Sequence, residues 1–401
     1  MNNNLYDIIS PTLKNNLEFS INNIKILLYK GDNEIFEHID FNNDKIYQES
    51  LLHSFYKNKK GEITTLEQII IGYKNTINKE INVTTDEFGR IYIPNVGWFT
   101  TALINQNLVF SNENKELFKD SIKLDYKFES IEFIKNTNIE ILKYQIPLLK
   151  QCYINVEKQL IDVEIENVTN NHLQNITKAY NLIKTNCPNQ YELIEKYAPK
   201  CVIFNVDTYQ RNSFASKYAY GIGFFNAYQE DYDEVFFVDD IAHQTGHTIF
   251  DTLLFDPLYI FKIDCKTILE TIKMPNGDLI ENRDLLVISH ALYTYYTSFN
   301  CLNNCLENNV FTGKQKHEAM GRIAFYIGKC YRDALLIDNP IKTNEKAKEY
   351  FTNEGLIIYT EIKNKWFEMY DKWYDKVKHF DMSNQPYNFT YSKFKELNPI
   401  N

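Results

Sequence analysis

The sequence predicts a predominantly helical α+β fold. Alternating residues with Gly and Pro punctuation run from Asn82 to Trp98, whereas helical periodicity dominates from Asp231 to the C-terminus. Strands that are followed by a run of helices are typical of α+β proteins. The chain contains 29 Tyr and 27 Phe among its 401 residues, enough aromatic side chains to fill a large core.

Charge and hydropathy exclude several classes of partner. Lys and Arg number 43 against 53 Asp and Glu, so the net charge is −10, which argues against a nucleic-acid partner because phosphates require a basic surface. No stretch approaches the ~20 apolar residues that span a bilayer, and the first residues do not resemble a signal peptide. We expect a cytoplasmic protein that binds neither nucleic acid nor membrane. The sequence does not indicate its oligomeric state.

The seven cysteines are odd in number and contain no CxxC pair, which favours reduced thiols over a disulfide framework. Cys301 and Cys305 lie one helical turn apart, a spacing that suits a metal site or a redox pair. Buried core thiols are the favoured interpretation, because free Cys packs as a small hydrophobic residue.

The pattern divides the chain near residue 155. Residues 1–155 mix helical and extended segments, and they are expected either to bind a peptide or to complete the fold. Residues 156–401 begin with helices and continue with a predicted edge hairpin from Cys201 to Tyr228, in which two strands flank a polar turn. The helices predicted after this hairpin span residues 233–254, 284–307, 314–336 and 354–380.

The first of these helices carries two histidines in the stretch DEVFFVDDIAHQTGHTIFDTLLF. His243 and His247 are spaced i, i+4, so on a helix they project from one face and can chelate one metal ion. Apolar residues line two sides of this helix, which predicts that it is buried within the domain. Buried histidines either satisfy core hydrogen bonds or bind metal, and the pattern favours metal.

A metal site needs a third ligand. Asp251 lies ~12 Å along the helix axis from His243, too far to share an ion with both histidines. His290, on the next predicted helix, is the better candidate, although a core histidine is an equal alternative. Residues 156–401 therefore form the predicted metal-binding domain.

The arginines are candidates for binding an anionic ligand. Arg283 precedes His290 by seven residues, which on a helix that begins early enough is two turns and ~10 Å along the same face. Such a residue can hold the far carboxylate of a small chelating acid, or it can be a solvated residue at the helix N-terminus. Arg332 flanks an apolar stripe and is expected to turn into the cavity, whereas Arg322 is expected to be solvated.

The HQTGH segment resembles the active-site helix of the gluzincin-type HExxH metalloproteases. In those enzymes the Glu of the motif is the general base that activates water. Gln244 stands at that position here and cannot accept the proton, so ordinary metal-assisted proteolysis is not expected.

The chain is more similar to the HExxH-motif peptide-modification family over about residues 200–375. The similarity consists of His243 and His247, then Arg283, then His290 seven residues later, and a long helical tail. Two departures are Gln244 in place of Glu, and Asp284 where Pro usually follows the arginine. Members of this family are iron(II)/2-oxoglutarate-dependent peptide β-hydroxylases.

The resemblance implies an oxygenase that hydroxylates a side-chain β-carbon of a ribosomally synthesised precursor peptide. It implies Fe(II) bound by the three histidines, and 2-oxoglutarate bound by Arg283, with Arg332 as the second candidate. Gln244 is compatible with this chemistry, which requires no carboxylate base for water. The alternatives are a zinc hydrolase with a substituted base and a catalytically inactive protease fold that binds peptides.

Overall fold

The computed structural model describes residues 5–57, 64–74, 80–273, 279–339, 341 and 344–400. The chain is a mixed α+β protein, about half helical, with several small sheets and a helical C-terminal region, as the sequence predicts. Among these residues no helix is both long and apolar enough to span a membrane.

Along the sequence, the helices occur in the first 70 residues and after residue 165. They are α1 (Leu5–Gly31), α2 (Ile35–His38), α3 (Asp44–Tyr47), α4 (Ser50–Lys57), α5 (Leu66–Ile70), α6 (Glu166–Asn186), α7 (Pro188–Tyr197), α8 (Glu234–Leu253), α9 (Leu285–Glu307), α10 (Gly313–Ile337), α11 (Ala347–Tyr350), α12 (Asn353–Val377) and α13 (Tyr391–Leu397).

The strands are short. They are β1 (Glu80–Thr84), β2 (Arg90–Ile93), β3 (Gly97–Thr100), β4 (Asn107–Ser111), β5 (Glu116–Lys119), β6 (Ile122–Lys123), β7 (Lys127–Ser130), β8 (Glu140–Ile141), β9 (Lys200–Phe204), β10 (Phe214–Ala215), β11 (Ile222–Asn226), β12 (Ile268–Lys273) and β13 (Leu279–Asp284).

The chain folds into two compact units that are discontinuous in sequence. The helical unit comprises Met1–Asn16, His172–Tyr197 and Gln229–Asn401, and the sheet unit comprises Leu17–Asn171 and Ala198–Tyr228. The sequence prediction instead places a single boundary at residue 155. The contacts group the strands of residues 198–228 with the N-terminal half.

The sheet unit contains three small sheets, with strand orders β1-β4-β5-β6, β2-β3-β7 and β10-β11-β9-β8. In β1 the side chains of Ile81 and Val83 are buried, while those of Glu80 and Asn82 are exposed, as the two-residue period of a strand requires. They join a core that includes Phe99 and Phe110, whose ring centroids are 5.2 Å apart.

The predicted hairpin between Cys201 and Tyr228 is wrong. β9 and β11 pair in parallel, with Ile222 opposite Lys200, and the two-residue strand β10 pairs antiparallel with β11 at the edge. Every residue of β9 and β11 is buried. Continuous apolar runs are typical of buried parallel strands, and such runs do not by themselves show in which direction two strands pair.

The four long helices predicted in the C-terminal region are confirmed as α8, α9, α10 and α12. Side chains cap three of their N-termini: Asp233 at α8, Asp284 at α9 and Thr352 at α12. The carboxylate of Asp284 accepts a hydrogen bond from the backbone N–H of Val287 across 2.8 Å. This cap fixes the first residue of α9, and so it determines where the preceding Arg283 lies.

Candidate metal centre

The close packing of α8 against α9 positions the histidines. A Cβ atom at Gly246 would lie only 2.8 Å from Oγ1 of Thr297 on α9, so glycine permits this approach. The same Thr297 hydroxyl donates a hydrogen bond to the carbonyl of Ala242 across 2.8 Å. Gly246 lies between the two histidines of α8, and the close contact therefore brings α9 to the face that carries them.

The structure brings His243, His247 and His290 together. The ring centroids of His243 and His247 are 5.1 Å apart, and those of His247 and His290 are 5.4 Å apart. The Nδ1 atoms of His247 and His290 face each other across 3.3 Å. All three side chains are partly buried.

The separation of 3.3 Å is significant for ligand geometry. Two imidazole nitrogens that each lie ~2.1 Å from one tetrahedral ion are about 3.4 Å apart. The same distance also fits a long N–H···N hydrogen bond. In the described part of the chain no group of three or more His, Cys, Asp or Glu side chains is placed so that it could hold a metal ion. His247 and His290 thus have the spacing of two ligands, and His243 lies one helical turn away.

The protonation states of the histidines suit a metal site. Burial lowers the pKa of His243 to about 4, although the charge of Asp239 opposes this shift. Burial, with smaller contributions from the positive charges of His243 and His290, holds the pKa of His247 well below its ordinary value. Neutral imidazole is the form that binds metals. In addition, Nδ1 of His243 is buried without a hydrogen-bond partner, as are the Nδ1 atoms of His38 and His172.

Asp251 contributes to this site through His290. Its Oδ1 atom lies 3.2 Å from Nε2 of His290. A carboxylate at this position favours a proton on Nε2 and leaves the lone pair of Nδ1 directed at His247. The distance of Asp251 from His243 along α8 makes it unsuitable as a shared ligand, but packing against α9 gives it a role in orienting His290.

Gln244, the residue at the position of the protease base, is buried. Its side-chain amide donates a hydrogen bond to Oδ1 of Asp240, one turn earlier on α8, across 3.0 Å. The amide is therefore engaged within the helix.

Arg283 does not lie where the sequence places it. It belongs to β13, because Asp284 is the N-cap of α9 and the helix begins only at Leu285. Its two terminal nitrogens bind the two carboxylate oxygens of Asp333, each across 2.9 Å, and one of them also binds Glu270 across 2.9 Å. The guanidinium is 3% exposed. It is thus already occupied by two carboxylates within the protein.

The other two arginines also differ from expectation. Arg332, which was expected to turn into the cavity, has a side chain that is 57% exposed and pairs with Glu270. Arg322, expected to be solvated, is buried and binds Asp239 and Glu318, each across 2.7 Å. Helical spacing identifies the apolar stripe of α10 and the i, i+4 pair of Glu318 with Arg322, but it cannot show that Asp239 of α8 faces the guanidinium.

Two tyrosines that the sequence analysis did not select form the walls beside His243. The ring centroids of Tyr295 and Tyr326 each lie 6.3 Å from that of His243. Their hydroxyls donate hydrogen bonds to Asp333 and Asp239, each across 3.0 Å. Tyrosines are abundant in this chain, so their sequence positions carried no signal that separated these two from the core.

Lys329 was also missed. It lies one turn after Tyr326 on α10 and is partly buried. Its ammonium donates a hydrogen bond to the carbonyl of Tyr387 across 2.7 Å. Nζ lies 4.0 Å from the ring centroid of Tyr387, 5.2 Å from that of Phe325 and 5.8 Å from that of Tyr295. Burial lowers the pKa of Lys329 to about 8.

The thiols of Cys301 and Cys305 are buried, as the core interpretation predicts. A contact with the Cys187 thiol, together with burial, raises the pKa of Cys301, and burial raises that of Cys305. Both thiols therefore stay protonated at neutral pH, and this favours a packing role over reactivity.

Comparison of the chain with protein-family models and with curated proteins gave no match.

Proposed function

We propose that this chain is a metal-dependent oxygenase in which His243, His247 and His290 bind one Fe(II) ion. In this proposal the enzyme uses 2-oxoglutarate to hydroxylate a side-chain β-carbon of a ribosomally synthesised peptide. The observation that carries the proposal is the convergence of three imidazoles from α8 and α9, with two Nδ1 atoms 3.3 Å apart. The helical unit then has a gluzincin-like arrangement, in which the helix with the paired histidines packs against the helix that carries the third.

A purely structural role explains this cluster less well. Nδ1 is buried without a partner in His38, His172 and His243, but of these three His243 lies against a second imidazole, that of His247. His247 and His290 direct nitrogens at each other, and only one proton can be shared between them. Asp251 behind His290 corresponds to the carboxylate that commonly orients a metal-bound histidine.

Gln244 favours oxygenase chemistry over hydrolysis. A carboxamide cannot take a proton from an attacking water, and this one is bonded to Asp240. When bound, Fe(II) would supply oxidising chemistry in which O₂ is the oxidant: one oxygen atom would enter the peptide C–H bond and the other would enter succinate as 2-oxoglutarate releases CO₂. The protein would contribute neutral ligands, an oriented His290, and the aromatic walls of Tyr295 and Tyr326. Three neutral imidazoles leave the charge of the ion uncompensated, which favours a dianionic cosubstrate.

The function is tested by metal content and by product analysis. The protein is reconstituted anaerobically with Fe(II) or Zn(II) and then supplied with O₂ and 2-oxoglutarate, and 2-oxoglutarate consumption is followed as succinate formation. A precursor peptide encoded beside the gene is then co-expressed and weighed. We expect succinate to form with Fe(II) but not with Zn(II), and the mass of the peptide to increase by about 16 Da per hydroxylation.

A matched pair of variants controls this experiment. His243→Ala is expected to abolish both succinate formation and the oxygen adduct, whereas His317→Ala is expected to retain them. His317 is a partly buried histidine of the same unit whose Nδ1 lies 3.2 Å from the Tyr391 hydroxyl. Backbone cleavage with zinc would instead support the hydrolase. Peptide binding without metal would support the inactive module.

A further inference from the structure

We propose that Lys329 forms the subsite for the distal carboxylate of 2-oxoglutarate, in the place that the sequence assigns to Arg283. This inference rests on the proposed function. It is carried by a difference between two cations of the helical unit. The charge of Arg283 is neutralised by acidic partners, while the ammonium of Lys329 is directed toward aromatic rings and one carbonyl.

The terminal nitrogens of Arg283 are not free to bind a carboxylate bidentately, although its Nε is buried without a hydrogen-bond partner. Its fork is filled by the two oxygens of Asp333, and Glu270 binds the same guanidinium. To bind 2-oxoglutarate, it would have to release a buried carboxylate, whose desolvated charge would then be unpaired.

The charge of Lys329, in contrast, is not compensated by a bound carboxylate from the described residues. Within the described ranges, its ammonium has no ion pair with an Asp or Glu at 4.0 Å or less, and its hydrogen-bond acceptor is the neutral carbonyl of Tyr387. Asp333, the acidic residue that acts most strongly on Lys329, already binds Arg283 and the hydroxyl of Tyr295. A partly buried ammonium without a counterion is stabilised by an anion that enters from solution.

The position of Lys329 relates it to the histidines. Tyr295 lies against both: its ring centroid is 5.8 Å from Nζ of Lys329 and 6.3 Å from the ring centroid of His243. Tyr326, one turn before Lys329 on α10, lies on another side of His243. A five-carbon dicarboxylate held at the histidines by its 2-oxo acid end can direct its other carboxylate toward this ammonium.

The aromatic surroundings suit this role. The rings of Tyr387 and Phe325 stabilise the ammonium by cation–π contacts while no anion is present. Tyr387 is itself 65% exposed, so this side of the ammonium is open to a carboxylate that enters from solution. A ligand with a second carboxylate is thereby distinguished from a 2-oxo acid that lacks one.

The test measures binding by protein reconstituted anaerobically with Fe(II), without turnover. Calorimetry and the metal-to-ligand charge-transfer absorption report the affinity for 2-oxoglutarate and for pyruvate, which has the chelating end but no distal carboxylate. We expect Lys329→Gln to weaken 2-oxoglutarate binding by about 10–100-fold, the loss of one charge-assisted hydrogen bond, and to leave pyruvate binding unchanged. Lys329→Arg is expected to recover part of the affinity.

The matched control is Lys376→Gln, which removes another lysine of the same unit that lies over an aromatic ring, that of Trp373. It is expected to bind 2-oxoglutarate normally. If Lys329→Gln binds 2-oxoglutarate as tightly as the wild type, the subsite is wrong while the proposed function stands. Equal losses for 2-oxoglutarate and pyruvate would also overturn the subsite, since they would indicate a damaged metal site. Failure of the wild type to bind 2-oxoglutarate overturns both proposals.

Discussion

Two polar clusters of charged or titratable side chains, one mostly buried and one partly buried, differ in how completely their charges and hydrogen-bonding atoms are paired. The Lys200 cluster of the sheet unit consists of Lys200, Glu49, Glu140, Tyr73 and Tyr92. The ammonium of Lys200 lies 2.6 Å from Glu140 and 3.1 Å from Glu49. Tyr73 donates a hydrogen bond to Glu49, and Tyr92 to Glu140. The carboxylates raise the pKa of Lys200 even though burial opposes this shift.

The histidine cluster of the helical unit (His243, His247 and His290) lacks this completeness. One ring nitrogen of His243 has no partner, and His247 and His290 direct nitrogens at each other. A buried polar group costs free energy unless it is paired. The Lys200 cluster meets that cost internally and is therefore structural. In the histidine cluster the cost is unmet at Nδ1 of His243, because the facing nitrogens of His247 and His290 also have the separation of a long hydrogen bond.

The largest effect that tests this comparison is a loss of stability in the sheet unit. Lys200→Met leaves Glu49 and Glu140 buried without a cation, and we expect the free energy of unfolding to fall by about 3–5 kcal/mol. Chemical denaturation measures it. Lys150→Met, which removes the exposed pair with Glu87, is expected to cost less than about 1 kcal/mol. Reduced metal affinity in Lys200→Met at unchanged stability would reverse the two assignments.

A smaller effect is expected at Asp251. Asp251→Asn removes the negative charge beside Nε2 of His290, and we expect metal affinity to fall by about 10–100-fold, as is typical when the partner of a ligating histidine is removed. Competition with a chelator of known affinity measures the change. Asp256→Asn is the control, because Asn can also cap the short helical turn that Asp256 begins. Equal metal affinities for Asp251→Asn and the control would show that Asp251 does not orient a ligand.

The third effect concerns the pH dependence of stability, and it involves a histidine of the sheet unit. Burial, with a contribution from Lys57, lowers the pKa of His53 from 6.5 to about 4. Below pH 6.5 the unfolded chain therefore binds a proton at this residue that the folded chain does not bind until about pH 4. Unfolding takes up that proton, so stability falls as the pH falls through this window.

His53→Gln removes this dependence. We expect the wild type to lose about 2–3 kcal/mol more than the variant between pH 6.5 and pH 4, measured by urea denaturation at several pH values. Because His53 belongs to the sheet unit, metal binding at pH 7 is expected to be the same in both proteins. Parallel pH profiles would show that His53 titrates normally in the folded state.

The sequence predicted those parts of the site that depend on local periodicity. The spacing of His243 and His247 and the helices that carry them and His290 follow from residues close together in the chain. Arg283 shows where this reasoning fails: seven residues before His290 is two turns only if the helix begins early enough, and the cap at Asp284 begins it too late. Because Asp284 is the cap, Arg283, the residue expected to bind 2-oxoglutarate, lies in a strand and not in the helix.

The remaining errors arise from contacts between distant segments. Arg322 is buried because Asp239 of α8 lies opposite it, and periodicity within α10 cannot reveal a partner on another helix. The apolar runs of β9 and β11 indicated strands, but their parallel pairing depends on the path of the chain between them. Lys329 is a candidate ligand-binding residue because, among the residues that the structure describes, its ammonium bonds a neutral carbonyl and lies in no ion pair, and this depends on the folded arrangement.

The most direct test of the central claim is an anaerobic Fe(II) titration of the wild type, His243→Ala, His290→Ala and the control His317→Ala. If the three histidines form one site, the wild type and the control bind one ion per chain. Both other variants then lose more affinity than the about 10–100-fold expected for a residue that only orients a ligand. Normal iron binding by His290→Ala would contradict the account, because α9 would then contribute no ligand and the site would reduce to a histidine pair on α8.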